Sequence, residues 1–172
     1  MKKTLLLTFL FSLFYAPISF GQIQRKILGL ELGVTTKQDA INILTQKGFK
    51  INQEYEYFII NGPISFGGNE WDGIMVNFQG EKLLSIFFMD GAKNKFNEQS
   101  ILVNSWETLK LKLKRKYSEY FYKEDVEKNL QFFSDENTEI MLSYSTTPLL
   151  LALCYVDKTL QESKSNEEDE EL

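Results

Sequence analysis

Histidine is absent from the 172-residue chain, and cysteine occurs once, at Cys154. The first absence excludes Ser-His-Asp and Cys-His catalysis and every His-ligated zinc or copper site. The second excludes an intrachain disulfide and, without histidine, any structural zinc cluster. Positive charge is also in short supply. Nineteen Lys and Arg face 24 Asp and Glu, a formal net charge of −5. That balance speaks against nucleic acid or an anionic membrane as the main partner. The apolar run at the N-terminus, Thr4 to Tyr15, falls short of the ~20 residues that span a bilayer.

What is present begins with an export pattern. Lys2 and Lys3 precede that apolar run, Pro17 breaks it, and Ser19-Phe20-Gly21 supplies the small residues of a cleavage site before Gln22. Residues 1–21 therefore read as a signal peptide, and the protein as periplasmic or secreted. With no Cys near the cut there is no lipid attachment site, so no stable membrane anchor is expected. Residues 22–161 are long enough for one domain with its own core. The segment 162–172 carries six acidic residues and almost nothing apolar. It reads as a disordered acidic tail.

Within the domain, helix signals alternate with strand signals. Thr35 with Gln38 matches a capping box, Ala40, Ile41 and Leu44 form a short apolar face, and Gly48 is a stop. Strands are expected over Tyr55–Asn61, Gly73–Phe78 and Lys82–Asp90. A second helix opens at Ser100, with Leu102, Trp106, Leu109, Leu113 and Tyr117 along one stripe. Three more strands are expected over Asn129–Ser134, Thr138–Ser145 and Leu149–Asp157. The last is apolar on both faces, as a central covered strand would be. The expected fold class is α+β, with two helices packed on one face of an antiparallel sheet and a possible tandem helix-plus-strands repeat.

Several short pieces carry a resemblance. They are Gly29-Leu30-Glu31-Leu32-Gly33, Leu44 to Phe49, Phe66-Gly67-Gly68, Trp106 to Leu109 with Leu113 and Lys116-Tyr117, and Tyr155-Val156-Asp157. On these, the chain resembles the uncharacterised small exported proteins of Bacteroides-type bacteria. The resemblance implies a fold and a compartment, and no activity. The doubled pattern is also similar, at fold level alone, to the β-lactamase inhibitor protein and the outer-membrane assembly lipoprotein BamE.

Two groups of side chains stand out as candidate binding residues. Gly67 to Gly73 places Glu70, Trp71 and Asp72 between glycines. Two adjacent carboxylates are costly to bury, so Trp71 is expected near solvent while Trp106 is core. Tyr120 and Tyr122, with Phe121 between them and Tyr55, Tyr57 and Phe58 elsewhere, give high aromatic density. Such rings suit interfaces and also strand packing. The basic run Lys110, Lys112, Lys114, Arg115 and Lys116 reads as a solvated helix face. Cys154 reads as a buried thiol, and Asp135, Asn137 and Glu139 as a turn lacking the spacing of a calcium loop. No catalytic residue, metal ligand or cofactor is expected. The composition favours a non-catalytic binding module with a protein or peptide partner. The alternative is a carboxylate-dependent hydrolase of glycans, which requires two acids facing each other across a cleft. The oligomeric state is left open.

Overall fold

The computed structural model describes residues 22–54, 56–91 and 98–170. The expected signal peptide, Tyr55 and the last two residues lie outside that set. The α+β expectation is overturned: among the described residues ten antiparallel strands dominate, accompanied by three helices. A hairpin, β1 (Lys26–Ile27) with β2 (Leu30–Glu31), comes first. Helix α1 (Lys37–Gln46) leads into β3 (Ile51–Gln53), β4 (Tyr57–Phe66), β5 (Asn69–Gln79) and β6 (Lys82–Gly91). Helix α2 (Glu98–Lys116) leads into β7 (Phe121–Asp125), β8 (Leu130–Ser134), β9 (Thr138–Thr146) and β10 (Leu149–Asp157). Helix α3 (Lys158–Glu170) closes the chain.

The main sheet has the order β3-β4-β5-β6-β10-β9-β8-β7. Instead of a helix with three strands on each side, two four-stranded meanders meet through their last strands, β6 and β10. The elements absent from the sequence reading are β1, β2, β3, β7 and α3. Four of these are strands of two to five residues, too short to show period-two alternation. The fifth begins before the segment expected as a tail and runs into it. Gln, Glu, Lys and Ser there are tolerable helix formers, and Asp157 supplies an N-terminal cap by accepting from the Leu160 amide at 2.9 Å.

One face of the sheet carries the core. Ala40 and Leu44 of α1, the full α2 stripe and Ile23, Ile27, Leu30 and Leu32 of the N-terminal segment are buried with the strand residues in one cluster. Fully burying a Leu or Phe side chain contributes roughly 1.5–3 kcal/mol, so this cluster holds the sheet to its helices. Arg25 pins the N-terminal segment to the end of the sheet. It donates to Leu32 O (2.7 Å), Asn137 O (3.0 Å) and Thr138 Oγ1 (3.2 Å), and pairs with the buried carboxylate of Asp157. Gly33 leaves room for this pair, since a Cβ there would collide with Asp157 and Arg25. The cap of α1 is Thr36, one residue later than expected. Its hydroxyl accepts from Asp39 N, while Thr35 Oγ1 accepts from Glu31 N.

Candidate functional site

The carboxylates and rings singled out above do not assemble into one site. Gly67 and Gly68, both at positive φ, make the two-residue turn between β4 and β5, so Glu70, Trp71 and Asp72 belong to a strand. Trp71 is 1 % exposed, which corrects the expectation of a solvent-facing ring. Its indole N–H donates to Phe66 O at 3.0 Å, and its ring lies against Phe88 at 5.4 Å. The register shift between Asn61 and Ile64 on β4 turns Trp71 and Ile74 to the same, buried side. Glu70 stays exposed, and Asp72 accepts from the Gly91 amide at 3.2 Å. The two acids follow one another along a single strand and do not face each other across a cleft.

Tyr120 and Tyr122 sit five strand steps away, roughly 24 Å at the usual spacing of about 4.8 Å. Tyr120 packs edge-on to Tyr117 and lines an open cavity of about 370 Å³ with Gln22, Glu119 and Asp135. Burial first, then the Asp135 charge, push its phenol up. Tyr122 turns toward α2, with its ring against Phe133 and beneath Lys114. Its hydroxyl donates to Glu124 Oε2 at 2.5 Å.

Glu124 collects two of the five members of the basic run. Lys110 (3.0 Å) and Lys114 (3.2 Å) pair with it, and Gln131 Nε2 donates to it at 3.1 Å. The Tyr122 hydrogen bond first, then Lys110, draw its carboxyl down to about 2. This network ties the edge strand β7 to α2, so Lys110 and Lys114 of the expected solvated face dock within the fold. Asp135 is equally occupied: it accepts from Asn137 N, Thr138 N and Ile23 N. Among the described residues no cluster of His, Cys, Asp or Glu could hold a metal ion.

The surface that sequence reading missed is the opposite face of the main sheet. Successive strand residues point to opposite faces, so each core residue has a neighbour on this other side. The pairing registers line these neighbours up. Ile59, Met75, Phe87, Cys154, Met141 and Phe132 form one lateral row over six adjacent strands. Asn52 on β3 and Lys123 on β7 end the row. Apart from Cys154 its apolar members are only half-buried, and none belongs to the core cluster. A second row runs Tyr57, Asn77, Ser85, Val156, Glu139, Ser134 and Phe121, with aromatic rings at both ends. Phe121 is 66 % exposed at the sheet edge. Met75, Met89 and Met141, the only methionines after Met1, all lie on this face. A usable signal was present: β6, β8 and β10 are apolar at consecutive positions, the mark of a strand with two apolar faces.

Cys154 stands in the middle of the first row. It is 6 % exposed, and burial first, then the Glu139 charge, push its thiol up to about 12. No thiolate is available there for nucleophilic chemistry at neutral pH. No helix among the described residues is long and apolar enough to cross a membrane. Compared with family models, curated proteins and solved structures, the chain matches none of them.

Proposed function

We propose that this protein is an exported, non-catalytic binding module that receives a protein or peptide partner on the open face of its main sheet. The observation that carries the reading is the apolar row from Ile59 to Phe132, lying outside the core and flanked by Ser, Asn, the half-buried Tyr57 and the exposed Phe121. An apolar centre with a polar rim is the anatomy of a protein interface. Methionine adds adaptability, because its unbranched polarisable side chain repacks against differently shaped partners. The face carries its charges toward its two ends, Glu139, Lys123 and Asp125 on one side and Glu70 and Asp72 on the other, so recognition at its centre would rest on shape and apolar contact. The export half of the proposal rests on Lys2, Lys3 and Ser19-Phe20-Gly21. N-terminal sequencing of the exported protein should begin at Gln22, and retention of residues 1–21 would remove that half.

The face itself is tested by photo-crosslinking in the envelope of the producing cell. A crosslinker replacing Met141 should trap a discrete partner, and one replacing the exposed Asn42 on α1 should not. Met141→Lys should abolish the complex while leaving the melting temperature within a few degrees. Equal crosslinking from both positions, or a complex unaffected by Met141→Lys, would rule this face out.

A further inference from the structure

The helix side of the sheet holds a second, separate feature. Where the Gly67-Gly68 turn meets α2 there is a cavity of about 290 Å³, floored by Phe66, Leu109, Leu113 and Leu153. Tyr117 and Tyr155 also line it. Tyr117 is 3 % exposed, and among the described residues its hydroxyl meets no partner in good hydrogen-bond geometry, with only the Tyr155 side chain interacting with it. A buried hydroxyl without a partner costs about 1–3 kcal/mol, a cost that a ligand oxygen could remove. Lys112 and Lys116 line the same cavity. Lys112 Nζ donates to Gly67 O at 3.2 Å, and Lys116 Nζ donates to Gln24 Oε1 at 2.8 Å while lying 5.0 Å from the Tyr117 ring centre. Both acceptors are neutral, and each ammonium has three donors. Lys110 and Lys114, on the same helix, are neutralised by Glu124. Among the described residues no acidic side chain lines this cavity, so none of them offsets the charge of Lys112 and Lys116 there.

We infer that this cavity binds a small amphiphilic carboxylate, its apolar body among Leu109, Leu113 and Leu153 and its carboxylate between Lys112 and Lys116. The charge argument selects an anion over a neutral or cationic amphiphile. The apolar floor selects against inorganic phosphate or sulfate. The open cavity has room for a short fatty acid, and an eight-carbon one serves as the probe. Gly68 shapes the turn beside Lys112 through its positive φ of 79°, which an L side chain rarely adopts. The site is independent of the open face, which lies across the sheet.

Calorimetric titration of the protein with octanoate, octanol and octylamine tests the inference. Octanoate should bind with one-to-one stoichiometry, at least tenfold tighter than octanol, and octylamine should not bind. The double variant Lys112→Gln, Lys116→Gln should lose at least tenfold for octanoate and leave octanol unchanged. Tyr117→Phe should weaken octanoate several-fold. Amide shifts of Gly67 and Leu113 in the wild-type protein, which need no variant to fold, should move on octanoate addition. No octanoate binding at millimolar concentration, equal affinity for octanoate and octanol, or unmoved Gly67 and Leu113 amides would each overturn the assignment.

Discussion

Phe87 and Phe88 are adjacent in β6 and chemically identical, yet they serve opposite faces of one sheet. Phe88 is fully buried, stacked on Phe66 at 4.4 Å and tilted against Trp71. Phe87 pairs across the strands with Met75 and Cys154 and remains half-buried. The first face is closed by two helices and the N-terminal segment, and is built from Leu, Ile, Phe and Trp. The second has Met, Ser and Asn among its apolar residues and takes no part in the core cluster. Hydrophobicity alone does not separate them, since both faces are apolar. What separates them is whether another layer of the same chain is packed on top.

The largest effect should come from the ring that moved from expected solvent to core. Trp71→Ala removes a fully buried indole and leaves the Phe66 carbonyl without its donor. A loss of about 3–5 kcal/mol is expected, matching Trp106→Ala, which is 5 % exposed in the α2 stripe. Urea midpoints of the two variants should agree within their error. A much smaller loss for Trp71→Ala would mean that the β4–β5 hairpin does not pack as a full part of the core.

Between the two phenylalanines the contrast is direct. Phe88→Ala should cost about 3–5 kcal/mol, and Phe87→Ala less than about 2 kcal/mol. Equal costs, measured by urea unfolding, would mean that something covers the second face in solution. A second copy of the chain is the simplest cover, and sedimentation at two concentrations would reveal it.

Legibility from sequence followed period and turn residues. The α2 stripe was plain because five residues at helical spacing repeat over four turns, and all five are buried. Although β4 and β5 were recovered only in part, because the segment from Gly67 to Gly73 reads as a loop, the strands β6, β8, β9 and β10 were recovered nearly whole. The hairpin β1–β2 and the edge strand β7 were not. Their pairing is set by tertiary contacts such as Arg25 with Asp157 and Lys110 with Glu124, which join residues far apart in sequence. Glu70-Trp71-Asp72 misled because two charged neighbours suggest solvent. In a strand they flank a residue on the opposite face, so the indole is buried without burying either acid. The open face was hidden for a different reason. Its residues are ordinary strand formers, and only the registers of several ladders show that they make a row.

A smaller effect is expected at the β7 edge, where charge replaces apolar packing. Glu124 is held near 2, well below its ordinary value of 4.5. A carboxyl depressed in the folded state stabilises above its unfolded pKa, and that stability is lost as pH falls through the folded value. Glu124→Gln should therefore cost stability at pH 7 and progressively less between about pH 4.5 and pH 2. Because Glu124 and its lysines are partly exposed, screening limits the loss to about 1 kcal/mol. Urea unfolding of both proteins at pH 7 and pH 3 measures it. A difference that is unchanged at pH 3 would exclude the ionised network as its source.

The smallest change in stability accompanies the most local test of the open face, which uses Cys154 as a reporter. Its row neighbours are Phe87 on β6 and Met141 on β9, so those two side chains decide whether a reagent reaches the sulfur. With the thiol pushed up to about 12 by burial, the thiolate fraction at pH 8 is on the order of 10⁻⁴. Native labelling by a disulfide reagent should therefore be at least about a hundredfold slower than labelling in urea. Cys154→Ala should be nearly neutral, costing about 1 kcal/mol or less, since a small buried apolar group is replaced by one slightly smaller. Phe87→Ala should raise the native labelling rate directly, by opening one side of the row. Phe88→Ala points away from the thiol and should raise it only as far as its own global unfolding allows. Comparing the labelling rate of each variant with its unfolding equilibrium separates the two routes. If Phe87→Ala labels no faster than its unfolding permits, Phe87 does not shield Cys154, and the row across the open face is not packed as a continuous surface.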